Sequence, residues 1–406
     1  MIRSAALLLA LVLLLTGPVA GAEAIRVGYL GPLTGIFAAA GKDMLDGLKM
    51  AFEQVNYEVA GRKIELIEED DEGNPATAQA KYRKLVAQDR IHVLDGVLLS
   101  NIGYALVPNI ERDRLPSLFL TTPDEITKRK SAKYVIRSNF AASQPMHALG
   151  DYAARTLKYR RVAAIAMDNN FGHEGIGGFQ RVFEDAGGRV VQKIWAPLNT
   201  MDFAPYLTQV PRDVDAVVQV FVAGQAVRFA KQYGESALAG KVPLIGTGVF
   251  TDQSSLQGMG DEVIGHVGAL IWAPTLDNPA NRAFTKLAEA RIKRTPSYFH
   301  AVMYSSGRWI LEAARALGGN VEDRDRFLAA LRRASETTED PRGPIKLDEY
   351  NNPTENVYIV RVEKTGGRLQ NTVIHTYPMV SQFWTYRPDE FLKTPAYDRT
   401  YPPVTP

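Results

Sequence analysis

The residues best able to ligate metal or move protons are six histidines, at positions 92, 147, 173, 266, 300 and 375, and they never fall at a metal-ligand spacing. The chain has no cysteine, which removes thiolate ligands, thiol nucleophiles and disulfides together. No G-x-S-x-G elbow is present. The acidic run Glu69-Asp70-Asp71 precedes Gly-Asn-Pro and reads as a solvated turn. Asp168-Asn-Asn-Phe-Gly-His-Glu-Gly follows an apolar strand pattern and opens a helix, like a dinucleotide loop. Its glycines at 172, 175, 177 and 178 do not give G-x-G-x-x-G, however. His173 beside Glu174 offers a base and its orienter, but the start of a surface helix is the simpler account of both. Gly31-Pro-Leu-Thr-Gly35 also joins a strand to a helix, but lacks the Lys-Ser/Thr of a phosphate loop. Pro32 further removes a backbone donor that a phosphate cradle needs. Thr34 and nearby NH groups suit a carboxylate or neutral polar group better. No catalytic constellation emerges, and the chain reads as a binder.

The elements around these residues follow a regular grammar. Arg3, the apolar run Ala5 to Leu15 and the small residues Ala20-Gly-Ala22 form a signal-peptide pattern over residues 1–22. That run is shorter than the about 20 residues that cross a bilayer. Export to the periplasm as a free protein is the expectation, and without cysteine no lipid-anchored cysteine can follow the signal. About 380 residues remain, enough for two domains. A formal net charge of +2 with only short basic runs gives no reason to expect nucleic acid. Strand patterns at Ile25–Leu30, Lys63–Glu69, Ile91–Leu99 and Ser117–Leu120 alternate with helical ones at Lys42–Asn56 and Asn74–Ala87. The alternation restarts with a helix at Gln144–Leu157 and a strand at Arg161–Met167. It runs on through strands at Val190–Ala196, Ala216–Val222, Val242–Ile245 and Val267–Trp272. Helices follow at Asn281–Lys293, Ala301–Leu317 and Asp323–Ala334, then a late strand at Asn356–Val362. Repeated βα units predict an α/β fold of parallel sheets covered on both faces. The tail SQFWTYRPDEFLKTPAYDRTYPP, rich in aromatics and proline, is expected to lie extended over a lobe surface, with partner binding as the alternative.

Several stretches together resemble one family. They are IRVGYLGPLTG with the following helix, ELIEEDDEGNPATAQAKYRKLV, VLDGVLLSNIGYALVPNIERDRLPSL, FGHEGIGGFQRVFEDAGG and AGQAVRFAKQYG. In this order and spacing the chain resembles the periplasmic solute-binding proteins of ABC importers, branched-chain amino acid type. The resemblance implies two Rossmann-like or flavodoxin-like lobes with parallel sheets, joined by a multi-strand hinge around a ligand cleft. It divides the chain into lobe 1 at 24–141 plus 273–350, lobe 2 at 142–272 plus 351–380, and a tail at 381–406. It also implies a monomeric binder without cofactor, metal or catalytic residues, whose partners are a small-molecule ligand and the importer's permease and ATPase subunits.

By the same resemblance, the carboxylate of the ligand meets Ser100, Asn101, Thr121 and Thr122. Ser100 could equally be only a helix cap, and Phe171, the family's aromatic contact, only a staple on its own helix. Thr34 and Phe37 face the cleft from the first loop. Phe221, Tyr298 and Phe299 are further candidates that ordinary core packing would also explain. Amino-acid binders of the family hold the ligand ammonium on an acid, and that position falls on Gly248 here. Asp168 could compensate, but an acid there is compatible with several specificities. A buried ammonium without a partner costs several kcal/mol. The expected ligand is therefore a small organic acid, aromatic carboxylates ahead of leucine-type amino acids. A sensory module built on the same fold is the other class open at this stage.

Overall fold

The computed structural model describes residues 23–129 and 132–404; the signal-peptide pattern at 1–22 lies outside them. The first lobe opens with β1 (Ile25–Gly31), α1 (Ala38–Glu53), β2 (Glu58–Val59), β3 (Arg62–Asp70) and α2 (Pro75–Ala87). It continues with β4 (Val93–Gly96), α3 (Ser100–Asp113), β5 (Ser117–Phe119) and β6 (Val135–Arg137). These strands form one sheet in the order β2-β3-β1-β4-β5-β6. All its neighbours are parallel except the β2–β3 hairpin. Buried on both faces, β1 and β4 are short apolar runs. Asn74 starts α2 by accepting from the Ala76 and Thr77 amides, with Pro75 at the first helical position.

The chain then crosses into a second lobe. It contains α4 (Ser143–Arg155), β7 (Arg161–Met167), α5 (Asn170–Asp185), β8 (Arg189–Ala196), α6 (Ala204–Leu207) and β9 (Ala216–Val220). After these come α7 (Ala223–Glu235), β10 (Leu244–Thr247), α8 (Gln253–Leu256) and β11 (Val267–Leu270). Three helices, α9 (Pro279–Ile292), α10 (Tyr298–Ala316) and α11 (Arg324–Thr337), follow. Of these, α10 lies directly on α1. Two glycines permit that approach: a Cβ on Gly47 would sit 2.4 Å from the His300 carbonyl oxygen, and one on Gly307 2.7 Å from Ala51 Cβ.

The chain last returns to the second sheet with β12 (Ile345–Leu347), β13 (Pro353–Thr365) and β14 (Arg368–Val380). The sheet order is β12-β13-β11-β10-β9-β7-β8, with β14 paired to β13. A lobe boundary at 350 is therefore too late, because the antiparallel ladder of β12 to β13 puts Ile345–Leu347 in the second sheet. The late strand is also longer than Asn356–Val362. It forms a hairpin with β14 through Gly366-Gly367, both at positive φ. The fold is thus the two-lobed α/β arrangement with mostly parallel sheets, linked by the segments after β6, after β11 and before β12.

The tail packs on α4 and α5 rather than standing free. Phe383, Phe391 and Tyr397 form a small apolar cluster of their own, and α12 (Pro388–Phe391) is its one helical turn. The Arg181 guanidinium lies 4.2 Å from the Tyr386 ring and 4.4 Å from Phe391. Among the described residues no helix is long and apolar enough to cross a membrane.

One acid sits in the middle of the first sheet. Asp95 of β4 is fully buried; Oδ2 accepts from the Ser306 hydroxyl at 2.6 Å, and Oδ1 has no partner among the described residues. Burial pushes its pKa up to about 8. Between its unfolded value and about 8 the folded state therefore holds a proton that the unfolded chain has released. Stability contributed there falls as pH rises through that window. We expect Asp95→Asn to flatten the decline in melting temperature from pH 5 to pH 8, which thermal unfolding across that range measures. An unchanged slope would mean that Asp95 is ionised in the fold.

Candidate functional site

A cleft of about 480 Å³, part of it open to solvent, lies between the lobes at the carboxyl ends of both sheets. From the first lobe Phe37, Leu98, Leu99, Ser100, Leu120 and Thr122 line it, and from the second Met167, Asn169, Phe171, Val222 and Val249. Tyr298 and Phe299, at the start of α10, complete the wall. The lobes meet on either side of it. On one side the Glu174 carboxylate of α5 accepts from the Asp124 amide at 2.9 Å and lies 3.4 Å from the Tyr104 hydroxyl of α3. On the other, the carbonyl oxygen of Ile36 faces Gly224, 3.9 Å from where its Cβ would stand.

The polar end belongs to α3. Leu99, its N-cap residue, supplies no side-chain hydrogen bond, which leaves the Ser100 and Asn101 amides without a side-chain cap, while the Ile102 amide donates to Asn101 Oδ1. With the positive end of the helix dipole the two uncapped amides make a place for negative charge. Ser100 is 7% exposed and Thr122 8%, and both border the cavity. The loop entering α3 carries a β-branched residue in the left-handed region, Val97 at φ 57°, and Ala223 at the start of α7 has φ 55°. Residues held there are strained, and such strain collects at binding sites.

The opposite wall is apolar and aromatic. Asn169 caps α5 through its side-chain oxygen and the Gly172 amide, which sets Phe171 on the first turn facing inwards. Tyr298 and Phe299 stand with ring centroids 4.4 Å apart. The Tyr298 hydroxyl accepts from Asn139 at 3.1 Å, and its amide donates to Asp252 at 2.7 Å. The cavity lining includes neither acid nor base. Asp252 is fully buried at the N-terminus of α8, where burial raises its pKa and the amides of Tyr298, Ser254 and Gln253 oppose the rise. Asp168 is turned to His173 and Arg399, at 2.8 and 2.9 Å. Neither acid therefore stands ready for an ammonium.

Six of the eleven expected site residues line this cavity: Phe37, Ser100, Thr122, Phe171, Tyr298 and Phe299. The other five lie elsewhere, each for a visible reason. Thr34 is exposed and donates to the Asp70 carboxylate at 2.7 Å. Asn101 is exposed, its oxygen accepting from the next amide of its own helix. Thr121 is buried against Gly103 of α3. Phe221 is core, its ring stacked 4.5 Å from Phe229 and edge-on to Phe203 at 5.3 Å. A Cβ on Gly248 would stand 2.7 Å from Leu270 Cβ, so this position faces β11, and its neighbour Val249 is the one that faces the cleft. Tyr298 and Phe299 belong to the first turn of α10, which starts three residues before the expected Ala301. His173 and Glu174 do not work as a pair: His173 bonds Asp168, while Glu174 is buried against the other lobe. Asn169 escaped the sequence reading, although an Asn just before a helical pattern is a capping signal.

A two-lobed α/β protein closing on a small, charge-free cavity is a ligand-binding protein of the substrate-capturing class. The chain belongs to the periplasmic binding protein family, whose model matches residues 24–368. It is 26% identical over 371 residues to Leu/Ile/Val-binding protein homolog 6 of Brucella suis, covering 89% of this chain and 94% of that one. Its fold superposes on a solute-binding protein of an ABC transporter from R. palustris, solved in complex with benzoate, with a TM-score of 0.81. Identity there is 28%, over 88% of this chain and 97% of that one. A solute-binding protein of an ABC transporter from Rhodopseudomonas palustris BisB5, in complex with 3,4-dihydroxybenzoic acid, gives a TM-score of 0.83. Identity is 29%, over 89% and 98% of the two chains.

Proposed function

We propose that this protein is the periplasmic substrate-binding component of an ABC importer and that its ligand is a small aromatic carboxylate of the benzoate type. The observation that carries the reading is a cavity with aromatic walls, the start of α3 with its Ser100 and Asn101 amides free of a side-chain cap, and no acid in its lining. The carboxylate takes donors from Ser100, Thr122 and the first turn of α3, and the ring lies among Phe37, Phe171 and Tyr298. A ligand ammonium would be desolvated without a partner, at a cost of several kcal/mol. The benzoate and dihydroxybenzoate held by the two structural relatives support the same class. Residues 24–141 with the α9–α11 segment form one closing body, and 142–272 with β12–β14 the other. The closed, loaded form is what a permease and its ATPase would receive, with no cofactor and no chemical step. The protein acts as a monomer exported by the 1–22 segment.

Isothermal titration of the mature protein tests this with benzoate, 4-hydroxybenzoate, L-leucine and L-phenylalanine. The benzoates are expected to bind at about 1 µM or tighter, and the amino acids not at millimolar concentration. Leucine binding alongside silent benzoates would overturn the ligand class. Ser100→Ala and Thr122→Val are each expected to weaken benzoate by about 1.5–3 kcal/mol, the range for hydrogen bonds to a charged group. If titration shows both unchanged, the carboxylate sits elsewhere.

A further inference from the structure

We propose that Arg399, in the C-terminal tail, is a specificity-determining residue of the cleft: it holds the Asp168 carboxylate away from the cavity and cancels its charge. This rests on the reading of the site as one for an anion. Asp168 directly follows β7, and its chain neighbours on both sides, Met167 and Asn169, line the cavity. It is therefore the acid nearest in sequence to the second lobe's wall. Both of its oxygens are engaged outwards. Oδ2 accepts from Arg399 Nη1 at 2.9 Å, and Oδ1 bonds His173 Nε2 at 2.8 Å. The His173 ring is itself fixed edge-on against Trp195, at 4.7 Å between centroids.

Arg399 is placed by firm anchors on either side. Before it, the Tyr397 ring fills the space over Gly177, where a Cβ would come within 2.7 Å of it. After it, Gln180 donates to the Pro403 carbonyl at 2.9 Å and Lys193 to the Pro402 carbonyl. The Asp398 carboxylate gathers the Thr400 and Tyr401 amides, each at 2.7 Å, into a tight turn. The tail lies beyond the 24–368 segment that the family model matches. Exposed ion pairs contribute little stability, and the Arg399 side chain is 60% exposed. What the pair changes is the local field: a free carboxylate there repels an anion and attracts an ammonium.

The test compares the full mature chain with Arg399→Gln, Asp168→Asn and the double variant, by titration with benzoate and with L-leucine. Arg399→Gln is expected to melt close to the parent protein yet bind benzoate about tenfold more weakly, a loss that shrinks in 0.5 M salt through screening. Adding Asp168→Asn is expected to restore the parent affinity, which a purely structural role of the tail would not do. Benzoate affinity unchanged in Arg399→Gln, or a loss that Asp168→Asn fails to rescue, overturns the proposal. If the parent protein binds no benzoate, the ligand class falls, and the clamp is read on leucine. Arg399→Gln must then bind leucine at least about tenfold more tightly than the parent, and equal binding overturns it.

Discussion

Replacing Val249 by Glu is expected to weaken benzoate binding by about a hundredfold or more. Val249 is 3% exposed and borders the cavity just after β10, in the lobe opposite α3. A carboxylate placed there faces the ligand's own. At roughly 6 Å and an effective dielectric near 20, two such charges repel by about 3 kcal/mol, which is about two orders of magnitude in Kd. The same substitution supplies the acid that an amino-acid ligand lacks in the natural cavity, so leucine or phenylalanine binding is expected to appear. Val249→Gln separates charge from size, since it adds nearly the same bulk without the repulsion. Titration of all three proteins decides the matter. Should Val249→Glu keep benzoate within tenfold of the parent, or Val249→Gln lose as much as Val249→Glu, the ligand carboxylate does not lie across from this position.

Val249 also shows where reading the sequence stops short. The alternation of strands and helices was legible because each strand is a compact apolar run and each following helix has its own periodicity. The ends of those strands carry the site, and there the pattern goes silent. Phe221 and Val222 are both apolar and directly follow one buried strand, and nothing in their types says that Phe221 turns to Phe229 while Val222 turns to the cleft. Gly248 and Val249 present the same one-residue ambiguity. A strand buried on both faces carries no polar-apolar alternation to fix its parity. Ser100 and Phe171 rest on the family resemblance, and each stands on the first turn of a helix that borders the cavity. The β13–β14 hairpin had a signal, Gly366-Gly367 between two strand-like runs. The Asp168–Arg399 pair had none, since 231 positions separate its partners and only the packing of the tail brings them together.

Arg342→Met is expected to destabilise the fold by about 3–5 kcal/mol, the cost of leaving buried partners of an ion pair uncompensated. The Arg342 side chain is 1% exposed. It forks onto Asp340 at 2.9 and 3.0 Å, donates to the Ser138 carbonyl at 2.7 Å and reaches Glu355 at 3.3 Å, with its guanidinium 5.6 Å from the Trp309 ring. Ser138 begins the first crossing between lobes, Arg342 precedes β12, Glu355 lies in β13 and Trp309 in α10, so one cation fastens the hinge. Burial opposes its charge, but Asp340 and Glu355 more than offset this and hold its pKa above the ordinary value. Burial pushes Glu355 up to about 7, against the pull of Arg342 and with the help of Asp340. The folded state thus keeps a proton on Glu355 that the unfolded chain loses near its usual carboxylate value, and stability falls as pH rises through that window. Without Arg342 the Glu355 value climbs further and the window widens upwards. The deficit of Arg342→Met is therefore expected to be larger at pH 8 than at pH 5. Arg342→Lys keeps the charge but not the fork, and should fall between the two. Denaturant unfolding of the three proteins at pH 5, 6.5 and 8 measures this. A deficit below about 1 kcal/mol, or one that does not change with pH, would mean that the two carboxylates do not depend on this cation, and that the hinge is held by its apolar packing alone.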